Sequence, residues 1–214
     1  MKQIWRRLKF LGAFLALVRD PNKTEKIFEI GDSGRNAERD RFEQLLAPIL
    51  NDPEFQALWT ARTEISIDLM RLQTLPEGTF GRETAAYFER HGFTPLSFPR
   101  IERRSSLDYL ADRMRQIHDF WHVLTGYSTE VVGELALQGF TMAQVGSPLS
   151  AVILSGGLLH LVIFRPMEVG SAFAQIVEGY RRGKAARRLV TLSYDTLWER
   201  DLAQLQRELG IGVV

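Results

Sequence analysis

From residue 135 to residue 164 the chain runs for 30 positions without a single Asp, Glu, Lys or Arg. A stretch of that kind has to leave water, either in a bilayer or in a protein core. Its length suits a membrane-spanning helix, but Gly139, Gly146, Pro148, Gly156 and Gly157 interrupt it, and Ser, Thr and Gln are scattered through it. The interruptions favour two consecutive core helices over one span. Small residues among Leu, Val and Phe leave room in such a pair for a slot that takes a long apolar ligand. His160, inside the run, reads as a core histidine bonded to its surroundings rather than as a ligand.

The rest of the chain repeats the helical signal. Asn51-Asp52-Pro53 is a helix start, with a cap residue before a first-turn proline. Leu75-Pro76-Glu77-Gly78 is a turn, and residues 82–91 form a helix stopped by Gly92. Residues 93–104, with Pro95 and Pro99, make an irregular connection. Ser106 caps a segment ending near Gly126, another begins at Ser128 or Thr129, and a last helix covers about 195–209 before Gly210. Period-2 alternation, internal repeats and low-complexity tracts are missing from the sequence. The expectation is an all-α chain: a single-domain helical bundle over 20–214, preceded by a basic amphipathic helix over 1–19.

That first segment carries Lys2, Arg6, Arg7, Lys9 and Arg19 and no acidic residue, with Ile4, Leu8, Leu11, Leu15 and Val18 as a helical stripe. Three readings compete: a signal peptide, for which the small-x-small cleavage site is missing; a helix lying on an anionic membrane; and a first helix whose stripe packs on the core. A net charge of +1 gives no general pull toward nucleic acid. With no cysteine, disulfides and thiolate metal sites are excluded, so any metal must be held by nitrogen and oxygen.

Residues 107–125 raise that possibility. Leu107, Leu110, Met114, Ile117 and Trp121 recur at helical spacing and define a buried face, with Arg113 and Gln116 on other faces. His118 and His122 fall on the flank of the stripe and Asp119 at its border. Both histidines therefore point inward, where an unpaired imidazole is costly, and residues four apart on a helix can grip one ion. Glu134 follows His122 by 12 residues, and the break at Gly126 allows a second helix to turn back and deliver it. Zinc peptidases place Glu where Asp119 stands, so peptidase chemistry does not follow. An HD-type phosphohydrolase would use the His118-Asp119 pair with His91 and Asp195 or Asp201, but leaves His122 and Glu134 without work. The run Arg181, Arg182, Lys184, Arg187, Arg188 reads as a solvated face or as a contact for lipid headgroups or an acidic partner.

The pattern H-D-x-x-H followed by eleven residues and Glu, together with LPEGTFGRETAAYFERHGFTP (75–95), GYRRGKAARRLVTLSYDTLWERDLAQLQRELGI (179–211) and LVRDPNKTEKIFEIGD (17–32), resembles the ubiquinone (coenzyme Q) biosynthesis protein 4 family over nearly the whole chain. The resemblance implies an α-helical protein with a divalent metal between two consecutive helices, held by His118, Asp119, His122 and Glu134. It implies work on a polyprenylated quinone precursor at a membrane surface, among other enzymes of quinone biosynthesis, and a homo-oligomer. The location implied is the cytoplasmic face of the inner membrane, or the mitochondrial inner membrane in a eukaryote. Two roles are implied: replacing the ring carboxyl group by hydroxyl, with Asp119 handling a proton, or organising an enzyme complex while holding a lipid intermediate in region 135–164. The ligand set suits Zn, Fe or Mn. Zinc would only bind and polarise substrate oxygen, whereas ferrous iron with open positions could engage dioxygen.

Overall fold

The computed structural model describes residues 2–21, 24–94 and 100–212, and only the backbone of residues 2–4, 6, 7 and 24. Among them every regular element is helical, and the β-type pairing is an isolated bridge, Thr79–Asp201. The all-α expectation holds. No helix among the described residues is long and apolar enough to cross a membrane. The chain divides into two compact units, Met1–Leu46 with Ser128–Lys184, and Ala47–Tyr127 with Ala185–Val214.

The first unit contains α1 (Lys2–Arg19), α2 (Thr24–Ala37), most of α3 (Arg39–Leu50), α8 (Val131–Val145), α9 (Pro148–Phe164) and nearly all of α10 (Val169–Ala185). Gly146 in the left-handed region (φ 71°) ends α8, and Ser147 caps α9 ahead of Pro148, so the charge-free run is two helices. Only α8 is a core helix along most of its length; α9 buries Ser150, Gly156, Gly157 and Leu161 and leaves Leu159, Val162, Ile163 and Phe164 exposed. At the glycines the space is taken. Leu17 of α1 lies over Gly156 and Leu135 over Gly157. The α10 backbone at Ile176 lies against Gly139, and the α8 backbone at Ala136 and Phe140 against Gly179 and Gly183, closer than a Cβ would allow. The slot expected from small residues is therefore filled at these positions by neighbouring chain. His160 is half-buried rather than in the core, and it is bonded as expected, its Nδ1 2.9 Å from the Val18 carbonyl oxygen.

Among the described side chains of the α1 stripe, Val18 alone is buried. Ala13, Leu17 and Val18 are buried, while Leu8, Leu11 and Leu15 stand in solvent with Trp5, whose ring lies under the Lys9 ammonium. The Ile4 side chain and those of Lys2, Arg6 and Arg7 lie outside the described residues. The expected basic run around 181–188 is dispersed. Arg182 is buried, Arg181 pairs with Glu178, and Lys184 lies over the Tyr180 ring. In the second unit Arg187 pairs with Glu54, and Arg188 with Asp52.

The second unit contains α4 (Pro53–Thr60), α5 (Leu69–Gln73), α6 (Phe80–His91), α7 (Ser106–Thr125) and α11 (Leu202–Glu208). Asp52 caps α4 as its sequence announces, accepting hydrogen bonds from the Glu54 and Phe55 amides at 2.9 and 3.3 Å. Gly92 ends α6 at φ 65°. Four boundaries differ from expectation, the first being the start of α6 at Phe80 rather than at 82. Ser105, not Ser106, caps α7. Helix α8 starts at Val131 rather than at 128–129, because Ser128 packs its carbonyl and hydroxyl against Gly133. The last helix is α11 alone, since the Trp198 and Arg200 carbonyls accept the Gly81 and Phe80 amides (2.8 Å each) and so leave the helical hydrogen-bond pattern. Of the connection 93–104, residues 95–99 with Pro95 and Pro99 lie outside the described residues.

Where that connection re-enters, Asp112 holds it. Its fully buried carboxylate accepts from Arg100 Nε (3.1 Å), Arg103 Nε (2.7 Å) and the Ile101 amide (2.9 Å). Burial alone would push the Asp112 carboxyl up; the bonds from Arg100, the Ile101 amide and Arg103 outweigh it and hold it below the usual carboxylate range. Asp112→Ala is expected to cost about 2 kcal/mol near neutral pH, the Arg100 share being small because that guanidinium is half exposed. A lowered folded pKa means that the contribution is complete above the unfolded value near ~4 and disappears as pH falls through the folded one. Urea denaturation of both proteins at neutral pH and at about pH 3 checks this, since the gap has to shrink at the acid end.

Candidate functional site

The site grows from α7. Ser105 accepts the Asp108 amide at the helix start (3.2 Å), and Gly126 at φ 78° ends it, its amide donating to the His122 carbonyl (2.8 Å). Ile117, Phe120, Trp121 and Leu124 are wholly buried and set the rotation of the helix. Phe120 sits in a cluster with Phe80, Tyr194 and Trp198. Trp121 donates to the Tyr194 hydroxyl (2.8 Å), which in turn donates to the Leu189 carbonyl (3.1 Å), and burial pushes the Tyr194 phenol well above its ordinary pKa. Arg113, expected on a face other than the stripe, is buried as well: its guanidinium donates to the Val190 carbonyl (2.6 Å) and to that of Leu192.

With the helix locked, His118 and His122 lie one turn apart with their ring planes at 90°, and their Nε2 atoms face each other at 3.3 Å. His122 is 2% exposed and His118 half-buried. The turn at Gly126 brings the Tyr127 carbonyl back to His122 Nδ1 at 2.9 Å. A carbonyl only accepts, so Nδ1 carries the proton and Nε2 offers a lone pair. Two nitrogens bound at ~2.05 Å to one ion with tetrahedral angles lie about 3.3 Å apart. The pair therefore has the spacing of two ligands to one metal, with a backbone carbonyl behind one of them as the outer partner that metal-binding histidines commonly have.

Asp119 is buried one residue further on, about 100° round the helix from His118. Glu134 lies in the first turn of α8 in the first unit and is half-buried. The sequence passed over Tyr87 of α6, whose buried ring stacks on the His122 imidazole with centroids 5.7 Å apart and planes at 19°. His91, the upstream histidine of the phosphohydrolase alternative, lies against the other neighbour of that ring, 4.6 Å from Tyr87 and stacked on Phe93. The distant carboxylates of that alternative have structural employment: Asp195 accepts the Ser66 amide (2.9 Å), and Asp201 caps α11 through the Gln204 amide (2.7 Å). The signal for Tyr87 was its i,i+4 spacing to His91 in α6.

Comparison with known proteins gives this arrangement its context. A zebrafish (Danio rerio) protein named "Ubiquinone biosynthesis protein COQ4 homolog, mitochondrial" is 29% identical over 210 residues, covering 94% of this chain and 74% of its own. An Aspergillus fumigatus protein, "Ubiquinone biosynthesis protein coq4, mitochondrial", is 27% identical over 213 residues, with 94% and 70% covered. A crystal structure from Nostoc punctiforme, of a protein provisionally named for ubiquinone biosynthesis, superposes with a TM-score of 0.83 at 26% identity and covers 96% of this chain and 98% of that one. Residues 2–214 match the family described as coenzyme Q (ubiquinone) biosynthesis protein Coq4. On a match of that length the chain belongs to the Coq4 family, and with it to ubiquinone biosynthesis.

Proposed function

We propose that His118, His122 and Glu134 hold one divalent metal ion and that the protein acts there on a polyprenylated ring acid, replacing the ring carboxyl group by hydroxyl. The facing Nε2 atoms of His118 and His122, with His122 Nδ1 committed to the Tyr127 carbonyl, carry this reading. Two imidazoles and a carboxylate suit Zn, Fe or Mn, and such an ion supplies charge stabilisation to an oxygen of the substrate next to the breaking bond. Asp119 is either a further ligand or the group that takes up a proton as the ring loses its carboxyl group. The ring–carboxyl bond breaks and the carboxyl group leaves as carbon dioxide, water supplies the oxygen of the new ring–oxygen bond at the same carbon, and dioxygen accepts the two electrons released and leaves as hydrogen peroxide.

The polyprenyl tail is assigned to the charge-free region 135–164, where Leu159, Val162, Ile163 and Phe164 offer apolar surface. The precursor, a membrane surface, other enzymes of the pathway and a second copy of the chain are the proposed partners. The inner face of a membrane is the proposed location, mitochondrial in a eukaryotic cell, as the names of the animal and fungal relatives say of those proteins. A non-catalytic second reading, a lipid-holding organiser of an enzyme complex, draws on the outward apolar residues of the first unit, Met167, Phe173 and Val177 among them.

Metal-loaded protein incubated in air with a prenylated 4-hydroxybenzoate-type acid separates the two. The enzyme reading expects a product with the carboxyl gone and a hydroxyl in its place by mass spectrometry. Asp119→Ala should then lower turnover at least about tenfold. No product with Zn, Fe or Mn at several prenyl lengths, while the wild-type chain still supports quinone synthesis in cells and Asp119→Ala does not, establishes the organiser instead.

A further inference from the structure

Nothing in the chemistry of a two-histidine grip accounts for Tyr87. It belongs to another helix, α6, and its ring lies nearly parallel to the His122 imidazole at 5.7 Å. It is 8% exposed and is held in turn by Phe88 at 6.2 Å, His91 at 4.6 Å and Phe93 at 6.1 Å. Helix α6 is itself anchored at its start, where the Phe80 and Gly81 amides bond to Arg200 and Trp198. The imidazole of His122 has two degrees of freedom. Hydrogen bonding of Nδ1 to the Tyr127 carbonyl fixes the direction of one ring edge, but it leaves the ring free to tilt about that bond. A flat neighbour at stacking distance removes the tilt.

We infer that Tyr87 is a positioning residue of the metal site: its ring face fixes the plane of His122 so that Nε2 stays aimed at Nε2 of His118. The inference rests on the metal reading above and adds to it the element that pre-forms the ligand pair before an ion arrives. Outer partners of metal-binding histidines are worth about 10–100-fold in metal affinity. The ring, not the hydroxyl, is the working part.

The test uses Co(II) as probe, because its visible absorption reports coordination geometry and a competing chelator reports affinity, both without turnover. Wild-type chain, Tyr87→Phe and Tyr87→Leu are compared, with thermal melting of each metal-free protein as the folding control. Wild type and Tyr87→Phe are expected to bind Co(II) within about threefold of each other with the same spectrum, and folded Tyr87→Leu about 10–100-fold more weakly with an altered spectrum. Equal affinity and spectrum in Tyr87→Leu overturn the inference and leave the metal site standing, as does a tenfold loss in Tyr87→Phe, which keeps the ring. Absence of Co(II) binding in the wild-type chain overturns the metal reading and this inference together. A purely structural role would lower the melting temperature of Tyr87→Leu while its folded form bound Co(II) as the wild type does.

Discussion

Protein purified after His122→Ala is expected to carry almost no divalent metal, where the wild-type chain carries about one ion per molecule. The substitution removes a ligand whose Nε2 faces that of His118 at 3.3 Å, and it also removes the Nδ1 bond that ties the end of α7 to the Tyr127 carbonyl. His118→Ala removes a ligand but leaves that bond in place, so it should lose metal with less loss of stability in the metal-free state. Elemental analysis of the three proteins, with thermal melts in the presence of chelator, reads both effects. Full metal occupancy in the doubly substituted chain would end the assignment, since the remaining carboxylates of the proposed set do not make a nitrogen site.

Gly179→Ala is expected to destabilise the protein by about 3 kcal/mol or more, the reverse of what helix propensity alone would give. In an exposed helix, glycine to alanine gains about 1 kcal/mol. Here the new methyl would fall on the Ala136 carbonyl of α8, and backbone cannot swing aside as the tip of a side chain can. Gly170, near the start of the same helix, has nothing within 4 Å of its Cβ position. Gly170→Ala should therefore be neutral or stabilising by up to about 1 kcal/mol. Urea denaturation of both variants decides it. A Gly179→Ala protein as stable as wild type would mean that the two helices stand further apart than the structure has them.

The contrast between those two glycines shows where sequence reading works and where it stops. Features governed by near neighbours in the chain were legible. Asp52-Pro53, Gly92 and Gly126 each set a helix end through bonds made within a few residues. The His118–His122 grip was legible for the same reason, since residues four apart share a face whatever else the chain does. Features set by distant chain were not. Arg113 fell off the buried stripe on the helical wheel, yet it is buried and reaches carbonyls 77 and 79 positions away. The start of the last helix was misplaced because residues 198 and 200 spend their carbonyls on α6. Tyr87 meets His122 only because α6 and α7 pack together. The α1 stripe is a different case: periodicity marks an apolar face without saying what covers it, and Leu8, Leu11 and Leu15 stand exposed while Val18 of the same stripe is buried.

Glycine at the α8–α10 crossing has a mechanical consequence. Packed helices ordinarily meet through a layer of side chains, and they slide by exchanging one set of rotamers for another, which is how small helix shifts are accommodated. Between α8 and α10 that layer is missing at Gly139, Gly179 and Gly183, where backbone rests on backbone. The separation of the two helices is set there by main chain, while nearer Glu134, in the first turn of α8, the side chains of Leu135, Ala172 and Ile176 lie between them. A push on α10 at Gly179 would therefore meet the main chain of α8 directly, with no rotamer between them to yield.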